Sequence, residues 1–172
     1  MSVRHRVSRL LAAGAAGLAM LLPLSVVSSS PAQATNGTCN GASTRYNGIQ
    51  GVYAWIPLNS GDKSCWMGQG HGTTAAQKKA VRALQNNILD CYGSTWASDR
   101  IRKSGGADGV YGAATKEAVR WLQANKLGLS GSNVDGVYGA QTRGRMMWLE
   151  VSSDNIPLIY PEGRRCTNSS QI

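Results

Sequence analysis

Leu10 to Val27 is a nearly unbroken apolar run behind a basic start at Arg4, His5, Arg6 and Arg9. From 35 to 74 that density dissolves. Gly, Asn and Ser recur every few residues, and Tyr46, Tyr53, Trp55 and Trp66 stand singly among them. One strand-like run interrupts this stretch, Val52-Tyr53-Ala54-Trp55-Ile56, stopped by Pro57. The expectation is a loop-rich extension with room for a hairpin, its aromatics packed on the helical segments that come after it. After Thr73-Thr74, either of which can cap a helix, the spacing turns helical. Val81, Leu84 and Ile88 form one stripe, with Lys78, Lys79, Arg82 and Asn86 elsewhere on the wheel. This helix reaches about Cys91, where Gly93 stops it. A linker covers 94–107. A second helix runs from about Ala113 to Lys126 and buries Ala118, Val119 and Leu122. Residues 127–133 connect to a third, from near Ala140 to about Glu150, burying Met146, Met147 and Leu149. The tail from Val151, with Pro157 and Pro161, reads as coil.

Two of these segments are copies. VRALQNN at 81–87 returns as VRWLQAN at 119–125, and DGVYG at 108–112 returns at 135–139. In both copies a Thr comes three residues later, Thr115 and Thr142. Asp108 and Asp135 suit backbone N–H groups of their own turns. Gly109 and Gly136 permit a positive φ, and Gly112 and Gly139 let the chain approach closely before the helix. Tyr111 and Tyr138 anchor the turns, the Thr hydroxyls serve the first helical turn, and Gln85 and Gln123 reach a neighbouring turn. These positions read as scaffold. Neither loop has the closely spaced oxygen ligands that calcium needs. Three helices sharing two equivalent turns predict a mainly α fold, a small three-helix bundle with internal pseudo-two-fold symmetry.

Composition changes the picture at the ends. The basic start, the apolar run and the small-x-small site at Ala32–Ala34 form a secretory leader cut after Ala34. No other segment is apolar enough to span a bilayer. The expected division is therefore 1–34 leader, 35–73 loop-rich extension, 74–150 helical domain and 151–172 tail. The formal charge is +9 and stays positive without Arg4, Arg6 and Arg9, which selects polyanionic partners. Cys39, Cys65, Cys91 and Cys166 all lie beyond the leader, and an even count in an exported chain implies two disulfides. Three pairings are possible and spacing does not choose; Cys39 and Cys65 hold the extension and Cys166 ties the tail. No Cys/His set has zinc spacing, so no metal or other cofactor is expected.

In that order, VRALQNN, DGVYGAATKEAVRWLQ and DGVYGAQT, the chain resembles the peptidoglycan-binding-like domain that accompanies many bacterial cell-wall hydrolases. The resemblance covers about Thr74 to Glu150. It departs at Leu122, where the family often has an aromatic before Gln123. It departs again at Arg143-Gly144-Arg145, where Gly144 costs a helix about 1 kcal/mol. The resemblance implies a three-helix bundle and non-catalytic attachment to peptidoglycan.

The chain itself is poor in catalytic sets. After the leader there is one histidine, His71, too few for a zinc amidase site. Cys65, the nearest thiol, is expected to be oxidised. Asp62, Asp90, Asp99, Glu117, Glu150, Asp154 and Glu162 have the type of glycosidase carboxylates, but none lies in a distinctive motif. For binding, aromatic rings suit sugar faces while Arg and Asn suit peptide and carboxylate groups. Arg120, Trp121 and Asn125 on the middle helix, with Tyr138, Arg143, Arg145 and Trp148 near the second turn, are the candidates for a shallow groove. The reading is a secreted, monomeric, wall-associated binding protein for peptidoglycan or its anionic polymers, with no nucleic acid and no membrane partner. Its rivals are a protein-interaction or inhibitor module using the same bundle, and a small wall hydrolase.

Overall fold

The computed structural model describes residues 37–48 and 51–168. The expected leader, 1–34, lies outside the described residues. Two strands come first, β1 (Gly41–Asn47) and β2 (Val52–Leu58), followed by α1 (Ala75–Cys91), α2 (Trp96–Lys103) and α3 (Ala113–Asn125). A 3-10 turn at Gly131–Asn133 leads to the short α4 (Ala140–Arg145). Four strands close the chain: β3 (Met147–Val151), β4 (Ile159–Tyr160), β5 (Gly163–Arg164) and β6 (Cys166–Asn168). β1, β2, β3 and β6 form one antiparallel sheet in that order, and β4 pairs with β5.

This architecture corrects the expected mainly α, three-helix bundle. Four helices are described, and a four-stranded sheet packs against them. The third helix ends five residues early. Gly144 and the C-cap at Met146, already extended at ψ 150°, release the chain. From Met147 the side chains alternate: Trp148 and Glu150 are buried, while Met147 and Leu149 are exposed or half-buried. Period two replaces period 3.6.

The extension does hold the hairpin, as β1 and β2, and residues 59–74 run on as turns and isolated bridges. β1 and β2 pair in register from Gly41 opposite Leu58 to Asn47 opposite Val52. Pro57 does not stop β2. The Leu58 carbonyl accepts from Asn40 N at 2.8 Å, so Pro57 turns its backbone to the other edge. There β3 pairs only with Tyr53 and Ala54, and the missing N–H leaves no ladder bond unmade. The tail is likewise partly strand. The sheet curls so far that Asn47 Nδ2 of β1 donates to Thr167 Oγ1 of β6 at 3.2 Å, although these strands occupy opposite edges.

The expected linker contains α2. Thr95 caps it by accepting from Ser98 N. Gly105 N and Gly106 N close it on the carbonyls of Arg102 and Ile101. Ala97 and Ile101 are fully buried, and α2 packs on α3 and α1.

α1 ties the layers together. Asn87 Nδ2 donates to Met147 O at 2.8 Å and Asn87 Oδ1 accepts from Leu149 N at 2.9 Å, while Tyr92 Oη accepts from Met147 N at 2.8 Å. Disulfides join Cys39 to Cys65 and Cys91 to Cys166, across separations of 26 and 75 residues. The second bridges the end of α1 to β6; chain-entropy arguments give a loop of that length about 4 kcal/mol.

Candidate functional site

The repeated turns are built by one glutamine each. Gln85 Nε2 lies 2.8 Å from Asp108 Oδ1, 3.1 Å from Thr115 Oγ1 and 3.2 Å from Val110 O. Gln85 Oε1 accepts from Gly109 N at 2.8 Å. Asp108 Oδ1 also accepts from Val110 N, and Thr115 Oγ1 donates to Val110 O. Gln123 repeats this around Asp135, Val137 and Thr142, with its Nε2 contacts between 2.9 and 3.0 Å. Gly136 N donates to Gln123 Oε1 at 2.8 Å, and the Asp and Thr bonds recur at Val137. Gln85 and Gln123 are both about 1 % exposed. These bonds explain why LQ, DG and T recur together.

Gly109 and Gly136 have φ of +82° and +73°. A Cβ on Gly109 would stand 2.9 Å from Lys78 O, and one on Gly136 would stand 2.7 Å from Lys116 O. Each turn therefore presses its backbone onto the helix that carries its glutamine. The extension straps both turns. Met67 and Tyr138 exchange backbone bonds of 2.8 and 2.9 Å, Gly70 N donates to Tyr111 O at 3.0 Å, and Tyr111 N donates to His71 O at 2.8 Å. His71 thus belongs to the strap. Its Nδ1 lies 3.0 Å from Gly68 N and 2.9 Å from Gly68 O, and its ring meets Trp66 edge-on at 4.7 Å.

The candidate ligand residues separate into two groups. Tyr138 and Trp148 are corrected: both are 0 % exposed and pack edge to face at 6.2 Å in the core, so neither can line a surface groove. Trp148 is carried inward by the alternation of β3. Burial pushes the Tyr138 and Tyr111 phenols well above their ordinary range. Arg143 donates to Lys63 O, and Arg145 Nη1 donates to Leu127 O at 3.1 Å, so both hold backbone. Asn125 folds back on its own helix, Nδ2 to Trp121 O at 2.8 Å.

Arg120 and Trp121 do come together at the surface, with a partner the sequence did not suggest. Trp96, 48 % exposed on α2, stands 6.4 Å from Trp121 of α3 with the rings only 30° from parallel. Val134, Ala124, Arg120 and Glu117 complete a shallow groove of about 300 Å³. Glu117 is paired with Arg100 at 2.6 Å, whereas Arg120 has no ion-pair or hydrogen-bond partner among the described residues. The groove offers two flat apolar faces beside one uncommitted positive charge. Trp96 was hidden in the supposed linker, although Thr95, Asp99 and Gly105-Gly106 are start and stop signals for a helix.

Apart from Asp154, the candidate carboxylates hold structural partners. Asp90 pairs with Arg164, Asp99 with Arg102 and Glu162 with Arg165, and Asp62 accepts from Ser64 N. Glu150 is buried and accepts from Tyr160 Oη at 2.6 Å, a bond that raises the Tyr160 pKa. Among the described residues no three His, Cys, Asp or Glu side chains could hold a metal ion, and no helix is long and apolar enough to cross a membrane.

A family model described as "Putative peptidoglycan binding domain" matches residues 77–146. The matched stretch contains both glutamine-centred turns and Trp96, Arg120 and Trp121, and stops where β3 begins. No curated protein and no solved structure matches the chain.

Proposed function

We propose that this is a secreted, non-catalytic protein that attaches to the bacterial cell wall by holding peptidoglycan in the Trp96–Trp121 groove. The family match over residues 77–146 carries the reading. Pyranose rings present flat faces of C–H groups that suit the two indoles, while the wall's carboxylates suit Arg120. The exported setting is supported by the leader-like start and by two disulfides. The non-catalytic part is supported by the family's being a binding domain and by the structural duties of the carboxylates other than Asp154. We assign no cofactor, and the protein works as a monomer.

Co-sedimentation with purified insoluble peptidoglycan tests this. The protein should pellet saturably, and a part of the binding should survive 1 M salt, where screening acts within about 3 Å. A protein that stays wholly in the supernatant at low salt refutes wall attachment. A wall suspension that loses turbidity in its presence refutes the non-catalytic part.

A further inference from the structure

We infer a second ligand site, at the seam between the sheet and α1, that takes an acetamido-bearing sugar ring. It deepens the wall-binding reading and rests on it only for where such a sugar is met. None of its residues belongs to the Trp96–Trp121 groove.

Ala83, Asn86, Asn87 and Asp90 follow one another at i, i+3, i+4 and i+7 along α1 and form one face of the helix. That face meets β2, β3 and the turn after β3, leaving a depression of about 130 Å³. Leu149, Val151 and Pro157 give it an apolar lining, and the Trp55 indole is one wall. The Lys79 ammonium, 4.9 Å from the Trp55 ring centroid, helps to fix that indole.

The polar groups divide by what they have left to give. Asn87 spends both ends of its amide on the β3 backbone, which keeps the seam rigid. Asp90 commits Oδ1 to Arg164, leaving its second oxygen. The side-chain amides of Asn86 and Asn155 have no partner among the described residues, and both residues are exposed. Asn155 is held at φ 62° within a turn closed by Asn155 N to Ser152 O at 3.0 Å.

Two primary amides donate and accept at once, which matches the N–H and C=O of an acetamido group. A carboxylate oxygen only accepts, and so takes a sugar hydroxyl. The indole and the aliphatic lining take the C–H face of the ring. Pockets that enclose drug-sized ligands run from about 300 Å³ upward, so this one suits one ring and not a folded peptide. A second contact on the same molecule would raise its hold on a polymer without tightening either site.

The test is an NMR titration of the disulfide-bonded protein with chitotriose, and with cellotriose as the trimer lacking acetamido groups. Chitotriose should shift the Trp55 indole N–H and the Asn86 and Asn155 side-chain amide signals saturably, with cellotriose at least tenfold weaker. Trp55→Ala should weaken chitotriose binding about tenfold. Asn86→Ala, on an exposed helical position, and Asn155→Gly, which suits a positive φ, should weaken it at least threefold without loss of fold. Shifts confined to Trp96 and Trp121, equal response to cellotriose, or full affinity in Asn86→Ala would each overturn the site. A protein that ignores insoluble peptidoglycan yet shows the Trp55 response supports this site while removing the wall reading.

Discussion

Tyr111 Oη donates to Gly136 O at 2.9 Å, so the tyrosine of the first repeated turn is bonded to the glycine of the second. The equivalent Tyr138 makes no such bond. Its hydroxyl is buried without a partner among the described residues, as is Trp148 Nε1, and its ring lies edge-on to Trp148. The two-fold relation holds in the turns and breaks where the sheet joins the helices.

Phenylalanine substitutions should read out this asymmetry. Tyr111→Phe strands the Gly136 carbonyl and should lower stability by about 1–2 kcal/mol, whereas Tyr138→Phe removes an unpaired buried hydroxyl and should be neutral or slightly stabilising. Urea unfolding of the two variants checks it, and equal losses would mean the hydroxyls are equivalently satisfied.

Alanine at the repeated glycines should be costly in both copies. At Gly109 and Gly136 a positive φ combines with a Cβ driven into Lys78 O or Lys116 O, which predicts a loss of about 2–4 kcal/mol each. Gly112→Ala meets nothing within 4 Å, at φ −84°, and should cost under about 1 kcal/mol. Thermal melts of the three variants decide between strain and a general glycine effect.

The scaffold was legible in the sequence because the Asp and first Gly of DGVYG, the Gln of LQ and the Thr that follows bond to one another and to the turn backbone. Gly112 and Gly139, by contrast, with nothing within 4 Å, make no close approach. The sheet was not. β1 carries only Ala42 and Asn47 as buried residues, so its period-two signal is faint, and β6 has three residues. Its strands come from both ends of the chain, a pairing that local spacing does not encode. α2 was missed because Ala97, Ser98 and Ile101 make a weak stripe. Trp148 was assigned to a surface because an aromatic on a helix with an uncertain end has no determined face, and Tyr138 because its turn leads into that helix. The strand settles it, since a change of period moves Trp148 from rim to core.

Alkaline pH should weaken the fold through the same buried tyrosines. Burial holds Tyr111 and Tyr138 above their unfolded value of about 10. The unfolded chain then loses protons before the native one, so this contribution is complete below about pH 10 and is lost as pH rises above it. Absorbance at 295 nm should show a phenolate phase that appears only with unfolding. A phase for all six tyrosines at ordinary pKa in a folded protein would contradict their burial.

Loss of either groove tryptophan should reduce peptidoglycan binding more than it reduces stability. Trp96→Ala and Trp121→Ala are each expected to weaken binding about tenfold, equivalent to about 1.4 kcal/mol. Trp96→Ala should leave the melting temperature nearly unchanged, because that ring is half exposed. Arg120→Ala should flatten the salt dependence while sparing the salt-resistant part. Unaltered binding in both tryptophan variants would move the site elsewhere.

The order of strands in the sheet also sets a schedule. β1 and β2 are made early, but their neighbours β3 and β6 lie beyond residue 146, and the Cys91 thiol waits for Cys166. A chain growing from its first residues therefore has no finished sheet until β6 has been made. Assembly becomes possible only once the distal strands have emerged, so delayed folding is a property of the strand order itself.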